Sequence, residues 1–282
     1  MSSRIEQFLG DGIQESFDPE LKRAFEFDDN IVPAELRKPE NVRLSPDSFR
    51  VSGDGVFYTI QGEGATMGEP TVFLRLHVCN LRCVWCDAYY TWNPNSKEFW
   101  TESKQWSIEQ TKEAVTQCWG AENEKTQKRL VITGGEPLLQ KKQIDLLINE
   151  LGDEWLFEIE TNGTVMPTEK QLQVCQFNCS PKLTNSLNSQ QARMNPEVIK
   201  ALNRVNTRFK FVVMHDNDLD EIENDWINGM GIDHNKVILM PQGVTASEVS
   251  ENGKRVVEYA KKKGFRLLGR LQNELWGAKR RV

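Results

Sequence analysis

Three cysteines, Cys79, Cys83 and Cys86, sit together in the stretch His77-Val78-Cys79-Asn80-Leu81-Arg82-Cys83-Val84-Trp85-Cys86. Thiolates at Cys-x3-Cys-x2-Cys spacing on one short loop can hold three corners of a cubic 4Fe–4S cluster and leave the fourth iron open. Clusters that only carry electrons generally take a fourth cysteine, which closes the site. The spacing therefore points to a cluster that binds a ligand. A structural zinc site is the alternative. Zinc wants four ligands, and His77, two residues before Cys79 on one face of a strand, is the available fourth.

Other candidate residues cluster near strand ends. Thr133-Gly134-Gly135-Glu136-Pro137 follows a β-rich run. Its two glycines would let backbone amides approach a ligand, and Glu136 offers a carboxylate to an ammonium group. The same residues also read as an ordinary turn. Gln61-Gly62-Glu63-Gly64 is a polar pair on a glycine-bearing loop, again with a turn as its plain reading. Arg75 lies four residues before Cys79, so its guanidinium should point toward the cysteine loop. It suits a planar anion such as a carboxylate, or a structural ion pair with Glu63 or Glu160.

Alternating strands and helices must position these groups. Thr71 to Val78 alternates, with Val72, Leu74, Leu76 and Val78 on one face and Phe73, Arg75 and His77 on the other. A Ser-x-x-Gln capping box predicts a helix from Ser107 to Trp119. Strands are expected at Arg129–Thr133, Trp155–Glu160, Val174–Cys179, Arg208–Met214 and Lys236–Met240. Helices are expected over Gln140–Leu151, from Asn195-Pro196, and from Thr245 to Gly264. That order implies a parallel sheet, open or closed into a barrel, with ligands at its strand ends. Residues 1–52 hold four of the eleven prolines and only short helical hints such as Pro19–Phe27. They read as an N-terminal extension before a domain over 53–282. The aromatic loop Thr91–Trp106 reads as an insertion covering the cysteines.

The 282 residues suit one large domain or two small ones, and the net charge of −6 argues against a nucleic-acid-coating surface. No stretch has the apolar length to span a bilayer, and no leader-like segment opens the sequence. Six cysteines, half of them in one loop, suggest metal-binding thiols in a reducing, cytoplasmic setting. Cys118 reads as a packed residue near a helix end. Cys175 and Cys179 read as strand residues or a second metal site.

Together these residues resemble the radical S-adenosylmethionine superfamily and, within it, the 7-carboxy-7-deazaguanine synthases. The resemblance runs from about Gly53 to Val282. It rests on Thr59-Ile60-Gln61-Gly62-Glu63-Gly64, Phe73-Leu74-Arg75-Leu76, the cysteine loop with Asp87, and Thr133-Gly134-Gly135-Glu136-Pro137-Leu138-Leu139. Glu160-Thr161-Asn162-Gly163-Thr164, Ser180-Pro181-Lys182, Phe209-Lys210-Phe211-Val212-Val213 and Leu275-Trp276-Gly277-Ala278-Lys279-Arg280 extend it. A zinc site explains none of these neighbours.

The resemblance implies a partial (open) parallel β/α barrel of the radical S-adenosylmethionine type. It implies a 4Fe–4S cluster on Cys79, Cys83 and Cys86 that binds S-adenosylmethionine and, with one electron from a flavodoxin- or ferredoxin-like donor, yields a 5′-deoxyadenosyl radical. That radical, not a side chain, takes hydrogen from 6-carboxy-5,6,7,8-tetrahydropterin. The ring then contracts, ammonia leaves, and 7-carboxy-7-deazaguanine forms. By position, Gly134, Gly135, Glu136, Ser180 and Lys182 would hold the cofactor's methionine end, and Gln242 would lie near its adenine. Gln61, Glu63, Arg75 and Glu160 would bind the pterin. A homodimer is implied as well.

Two positions depart from the family's pattern. Ala88 stands where many members have a threonine or serine whose oxygen meets a magnesium ion bound with the substrate carboxylate. Magnesium here would rest on substrate and water, or on Asp87 turned inward. Gln272 stands where a histidine is usual, and would hydrogen-bond substrate without carrying charge. A radical-activating enzyme acting on a glycine of a partner protein would share the cysteine spacing but would not need Gln61, Glu63 or a carboxylate clamp. A metal-stabilised binding protein would need none of the cofactor residues.

Overall fold

The computed structural model describes residues 32–120, 126–277 and 279–280. The helical hints at Pro19–Phe27 lie outside them. Among the described residues, β1 (Ser48–Ile60) and β2 (Pro70–Leu76) pair antiparallel. A short helix α1 (Lys97–Thr101) leads into β3 (Ser103–Ser107), which pairs antiparallel with the outer side of β1. Helix α2 (Ile108–Trp119) follows, its Ser107 and Gln110 forming the expected capping box. Then come β4 (Lys128–Gly134), α3 (Lys141–Leu151), β5 (Trp155–Thr161), α4 (Glu169–Val174) and β6 (Cys175–Cys179). Helix α5 (Pro196–Asn203) is capped by Asn195, and β7 (Thr207–Val213), α6 (Asp216–Glu221) and β8 (Val237–Pro241) succeed it. Helix α7 (Ala246–Lys263) runs from the Thr245/Glu248 box to a left-handed Gly264; β9 (Arg266–Leu267) and α8 (Leu271–Trp276) close the series.

The sheet order is β3-β1-β2-β4-β5-β6-β7-β8-β9, parallel from β2 onward and not closed. It is a partial barrel. Strand alternation divides its two faces. Leu74, Leu76, Leu130, Ile132, Phe157, Ile159, Phe177, Phe209, Phe211 and Leu239 join one hydrophobic core with the apolar stripes of α3 and α5. The intervening positions carry Arg75, Thr133, Glu158, Glu160, Asn178 and Lys210, which turn away from that core into the hollow of the barrel.

Two expectations change. The boundary drawn at 52/53 falls inside β1, because residues 48–52 pair with β3 across five consecutive positions. The Thr91–Trp106 stretch is not a free cover. Its second half forms α1 and β3 and extends the sheet edge, and only its first residues, with Tyr89 and Tyr90 before them, line the hollow. Cys118 lies at the end of α2; Cys175 and Cys179 are buried strand residues packed in the core.

Candidate active site

A cavity of about 460 Å³ opens at the carboxyl ends of the strands, where parallel sheets place ligand sites. Cys79, Cys83 and Cys86 line it together with Gln61, Glu63, Arg75, Gly134, Gly135, Glu160, Ser180, Lys182, Gln242 and Gln272. Of the site residues expected from sequence, Glu136 is the exception.

The cysteine loop begins where β2 ends. Val78 has φ 78°, an unusual conformation for a β-branched residue, and it turns the chain out of the strand. Its N–H donates to the Thr91 carbonyl and its own carbonyl accepts from Glu136 N. Burial pushes all three loop thiols up, Cys86 to about 12. They therefore stay protonated until a metal takes the proton's place. His77 does not join them. Its Nε2 lies 2.9 Å from the Phe99 carbonyl, and burial lowers its pKa to about 4. His77 is not among the residues lining the cavity and faces Phe99, so it is not placed as a fourth ligand for zinc.

Gly134 and Gly135 line the cavity, but their smallness serves the protein's own backbone. A Cβ on Gly134, at φ 127°, would collide with Leu76, and one on Gly135 with the Val78 carbonyl. Gly135 N donates to Leu76 O at 3.1 Å. Glu136 is fully buried beneath the cavity wall. One of its carboxylate oxygens accepts from Leu138 N (3.0 Å) and Thr161 Oγ1 (2.9 Å), the other from Asn162 N (2.7 Å). It fixes the loop of Asn162, whose amide reaches Asn80 and comes within 4.0 Å of Cys79 Sγ. Glu136 is a positioning residue here, not a direct contact.

The floor is a charged network. Gln61 Nε2 donates to both Glu158 (2.8 Å) and Glu160 (3.1 Å). Glu160 also accepts from Thr133 Oγ1 at 2.6 Å. Glu158 further accepts from Thr66, Gln176 and Asn178. It borders a smaller cavity of about 260 Å³ at the opposite strand ends. Burial, reinforced by the charge of Glu160, pushes Glu158 up to about 7. Glu63 is held by Lys210, by Arg270 Nε (2.8 Å) and by Gln272 Nε2 (2.7 Å). Burial opposes its charge, but Lys210 and Arg270 outweigh burial and keep the carboxyl well below the usual range.

Three cations lining the cavity, Arg75, Lys182 and Lys279, form no ion pair with a carboxylate among the described residues. Arg75 lies 5.4 Å over the Phe57 ring, and neither Glu63 nor Glu160 pairs with it. Lys182 Nζ donates to Ser180 Oγ at 2.8 Å and sits over the Trp85 ring. Asp87 lines the cavity, its carboxylate ion-paired with Arg270. Lys210, Arg270 and Asn178 were not assigned roles from sequence. A lysine in the middle of Thr207–Val213, and two glutamates at alternate positions of Trp155–Thr161, were the legible signals.

The profile of the radical S-adenosylmethionine superfamily matches residues 74–211. A protein of Pyrobaculum aerophilum named 7-carboxy-7-deazaguanine synthase is 32% identical over 226 residues, covering 79% of this chain and 93% of that protein. This chain belongs to the 7-carboxy-7-deazaguanine synthase family. The family member of that name from Rhodopirellula baltica is 30% identical over 89% of this chain and 96% of its own. The crystal structure of QueE from Escherichia coli superposes with a TM-score of 0.58 at 22% identity, covering 79% of this chain and 94% of that one; it shares the fold.

Membership of the superfamily brings a 4Fe–4S cluster and S-adenosylmethionine, and the residues present fit both. Three free thiols face one cavity, with no fourth cysteine or histidine closing it among the described residues.

Proposed function

We propose that this chain converts 6-carboxy-5,6,7,8-tetrahydropterin to 7-carboxy-7-deazaguanine with loss of ammonia. The observation that carries the reading is Arg75, a cation without an anion partner in the cavity that also holds the three cysteines. A planar carboxylate on the substrate is the partner a guanidinium suits best.

Cys79, Cys83 and Cys86 would hold the cluster. When bound, the cluster and S-adenosylmethionine supply the radical that removes hydrogen from the pterin. Gly134, Gly135, Ser180 and Lys182 shape the wall for the cofactor's methionine end, Lys182 offering its charge to the carboxylate. Gln242 borders the adenine side. Gln61 and Glu160 face the pterin as a preset polar floor, and Gln272 presents a buried Oε1 that has no donor of its own. The Asn178 Oδ1 is likewise buried without a donor, so pyrimidine N–H groups would satisfy both. Such fixed acceptors orient a ligand without reorganising during the reaction.

Magnesium would rest on substrate, water and the Asp87 carboxylate, which lines the cavity while ion-paired with Arg270; Ala88 has no ligand oxygen. The reading includes a flavodoxin- or ferredoxin-like electron donor, a homodimer and a cytoplasmic setting. Among the described residues no helix is long and apolar enough to cross a membrane.

The test is anaerobic reconstitution with iron and sulfide, then incubation with S-adenosylmethionine, dithionite and the pterin, followed by mass analysis. The expected product is 7-carboxy-7-deazaguanine. Formation of 5′-deoxyadenosine alone would keep the radical chemistry and discard the substrate.

A further inference from the structure

Glu158 of β5 is buried in the barrel's hollow and gathers four donors on its two oxygens. Oε1 accepts from Gln61 Nε2 (2.8 Å) and Asn178 Nδ2 (3.0 Å), and Oε2 from Thr66 Oγ1 (2.5 Å) and Gln176 Nε2 (3.2 Å). Glu158 does not line the large cavity and borders the smaller one. Asn178 of β6, only 1% exposed, does line the large cavity. The carboxylate therefore reaches the large cavity through the amides it holds, not by contact.

The surroundings of Asn178 accept its amide in one orientation. Its Nδ2 donates to Glu158 and lies 3.5 Å from the Glu63 carbonyl. Turned over, the amide would set Oδ1 against both of these oxygens, acceptor facing acceptor. Gly64 closes on the same group: at φ 77° it has no Cβ, and one added there would collide with the Asn178 amide. Oδ1 is left as a buried, fixed acceptor without a donor. Gln61 keeps no such group free, since its Nε2 serves Glu158 and Glu160 and its Oε1 accepts from Glu63 N at 3.2 Å. Burial pushes Glu158 up to about 7. A proton taken up on Oε2 would be donated to Thr66 Oγ1, a hydroxyl that accepts as well as donates. Oε1 thus stays an acceptor for Asn178 in either state.

We propose that Asn178 selects the 2-amino group of the substrate's pyrimidine ring, with Oδ1 as the acceptor, and that Glu158 is the positioning residue that keeps this oxygen from turning away. An amino group supplies the N–H that Oδ1 lacks. A ring with oxygen at the same position would press a second acceptor against it. A site built around a hydrogen bond rejects the analogue that cannot make it, because its own buried group is then left unpaired. The inference rests on the pterin reading above and adds which part of the ring is read, and by which residues.

The test uses the reconstituted enzyme with S-adenosylmethionine and equilibrium titration of 6-carboxy-tetrahydropterin and of its 2-oxo counterpart, 6-carboxy-tetrahydrolumazine. Wild type should bind the amino compound at least about tenfold more tightly, the scale of one hydrogen bond. N178A should bind the amino compound about tenfold more weakly and bring the ratio to about threefold or less. E158A keeps Asn178 but frees its amide to turn, with water from the smaller cavity meeting the remaining donors. Its ratio should fall likewise. E158Q can offer its oxygen to Asn178 and its amide to Thr66, and should restore the ratio. A loss of stability alone would weaken both ligands together and leave the ratio where it was. Should E158A not fold, E158D, which draws the carboxylate back, takes its place with the same expected fall. Equal binding of the two compounds by wild type, or an undiminished ratio in N178A or E158A, would overturn the inference while leaving the substrate reading intact. Binding of neither compound would overturn the substrate reading and this inference with it.

Discussion

Lys210 of β7 is ion-paired with Glu63 of the loop after β1, and the two side chains are only 8% and 13% exposed. The pair joins elements far apart in sequence and fixes the Gln61–Gly64 loop over the barrel's hollow. Leaving one charge of a buried pair without its partner costs more than the pair contributes. K210M leaves Glu63 with Arg270 as its remaining cation and should destabilise the fold by about 2 kcal/mol, the scale of a lost hydrogen bond to a charged group. E63Q/K210M should lose less than the sum of its single variants, read from denaturant midpoints in a double-mutant cycle. Additivity would mean that the pair is not coupled.

Glu136 acts through the backbone it holds. Its carboxylate accepts from three donors, two of them main-chain N–H groups. Glu136→Gln places an amide NH2 against those donors and should cost about 2 kcal/mol of stability, the usual penalty for an unsatisfied buried group. The Asn162 loop beside Cys79 should loosen with it. Reconstituted E136Q should then hold less iron per chain than wild type, as measured by iron and sulfide content. Full cluster loading with unchanged stability would show that the carboxylate is needed elsewhere.

Helix starts were the most legible features, because capping is local. Ser107/Gln110 and Thr245/Glu248 form the boxes their spacing announces, and Asn195 caps the helix that opens at Pro196. The cysteine spacing and the alternation of β2 were equally direct. β1 and β3 were not legible. β1 carries Gly53, Asp54 and Gly55 at an irregularity in its register, and it is a strand only because β2 and β3 flank it. Arg270 illustrates a second limit. Its partners Asp87 and Glu63 lie 183 and 207 residues away in sequence, so no local pattern reveals them. Glu136 shows a third: its residue type was right for a ligand, but its direction depended on where Thr161 and Asn162 came to rest.

Gly134 sits at φ 127° with the Leu76 backbone where a Cβ would project. Backbone cannot rotate aside as a side chain can. G134A should therefore cost about 3 kcal/mol from combined overpacking and strain, and should displace the end of β2 that launches the cysteine loop. The expected result is a lower thermal midpoint together with reduced cluster incorporation. Gly152, whose Cβ position is open, is the control: G152A carries only the strain of its positive φ and should load its cluster fully.

His77 and Glu158 titrate abnormally in opposite senses. His77 is lowered from 6.5 to about 4, chiefly by burial. Its folded form binds fewer protons than the unfolded chain, so its contribution is present above pH 6.5 and lost as pH falls through about 4. Glu158 is raised from 4.5 to about 7, again chiefly by burial. Its contribution is complete below pH 4.5 and is lost as pH rises through about 7. Each effect amounts to about 3 kcal/mol at most. Between pH 4.5 and 6.5 the two slopes oppose each other. Stability of the cluster-free protein should accordingly change little across that window, apart from its exposed groups and Glu136, whose carboxyl burial also raises and which acts in the same sense as Glu158. E158Q removes the carboxyl and should uncover the histidine, giving stability that falls on acidification from pH 6.5. H77N should do the reverse, giving stability that rises as pH falls from 7 toward 4.5. Denaturant unfolding at several pH values reads both slopes. Parallel pH profiles for the two variants would show that neither group titrates as its burial requires.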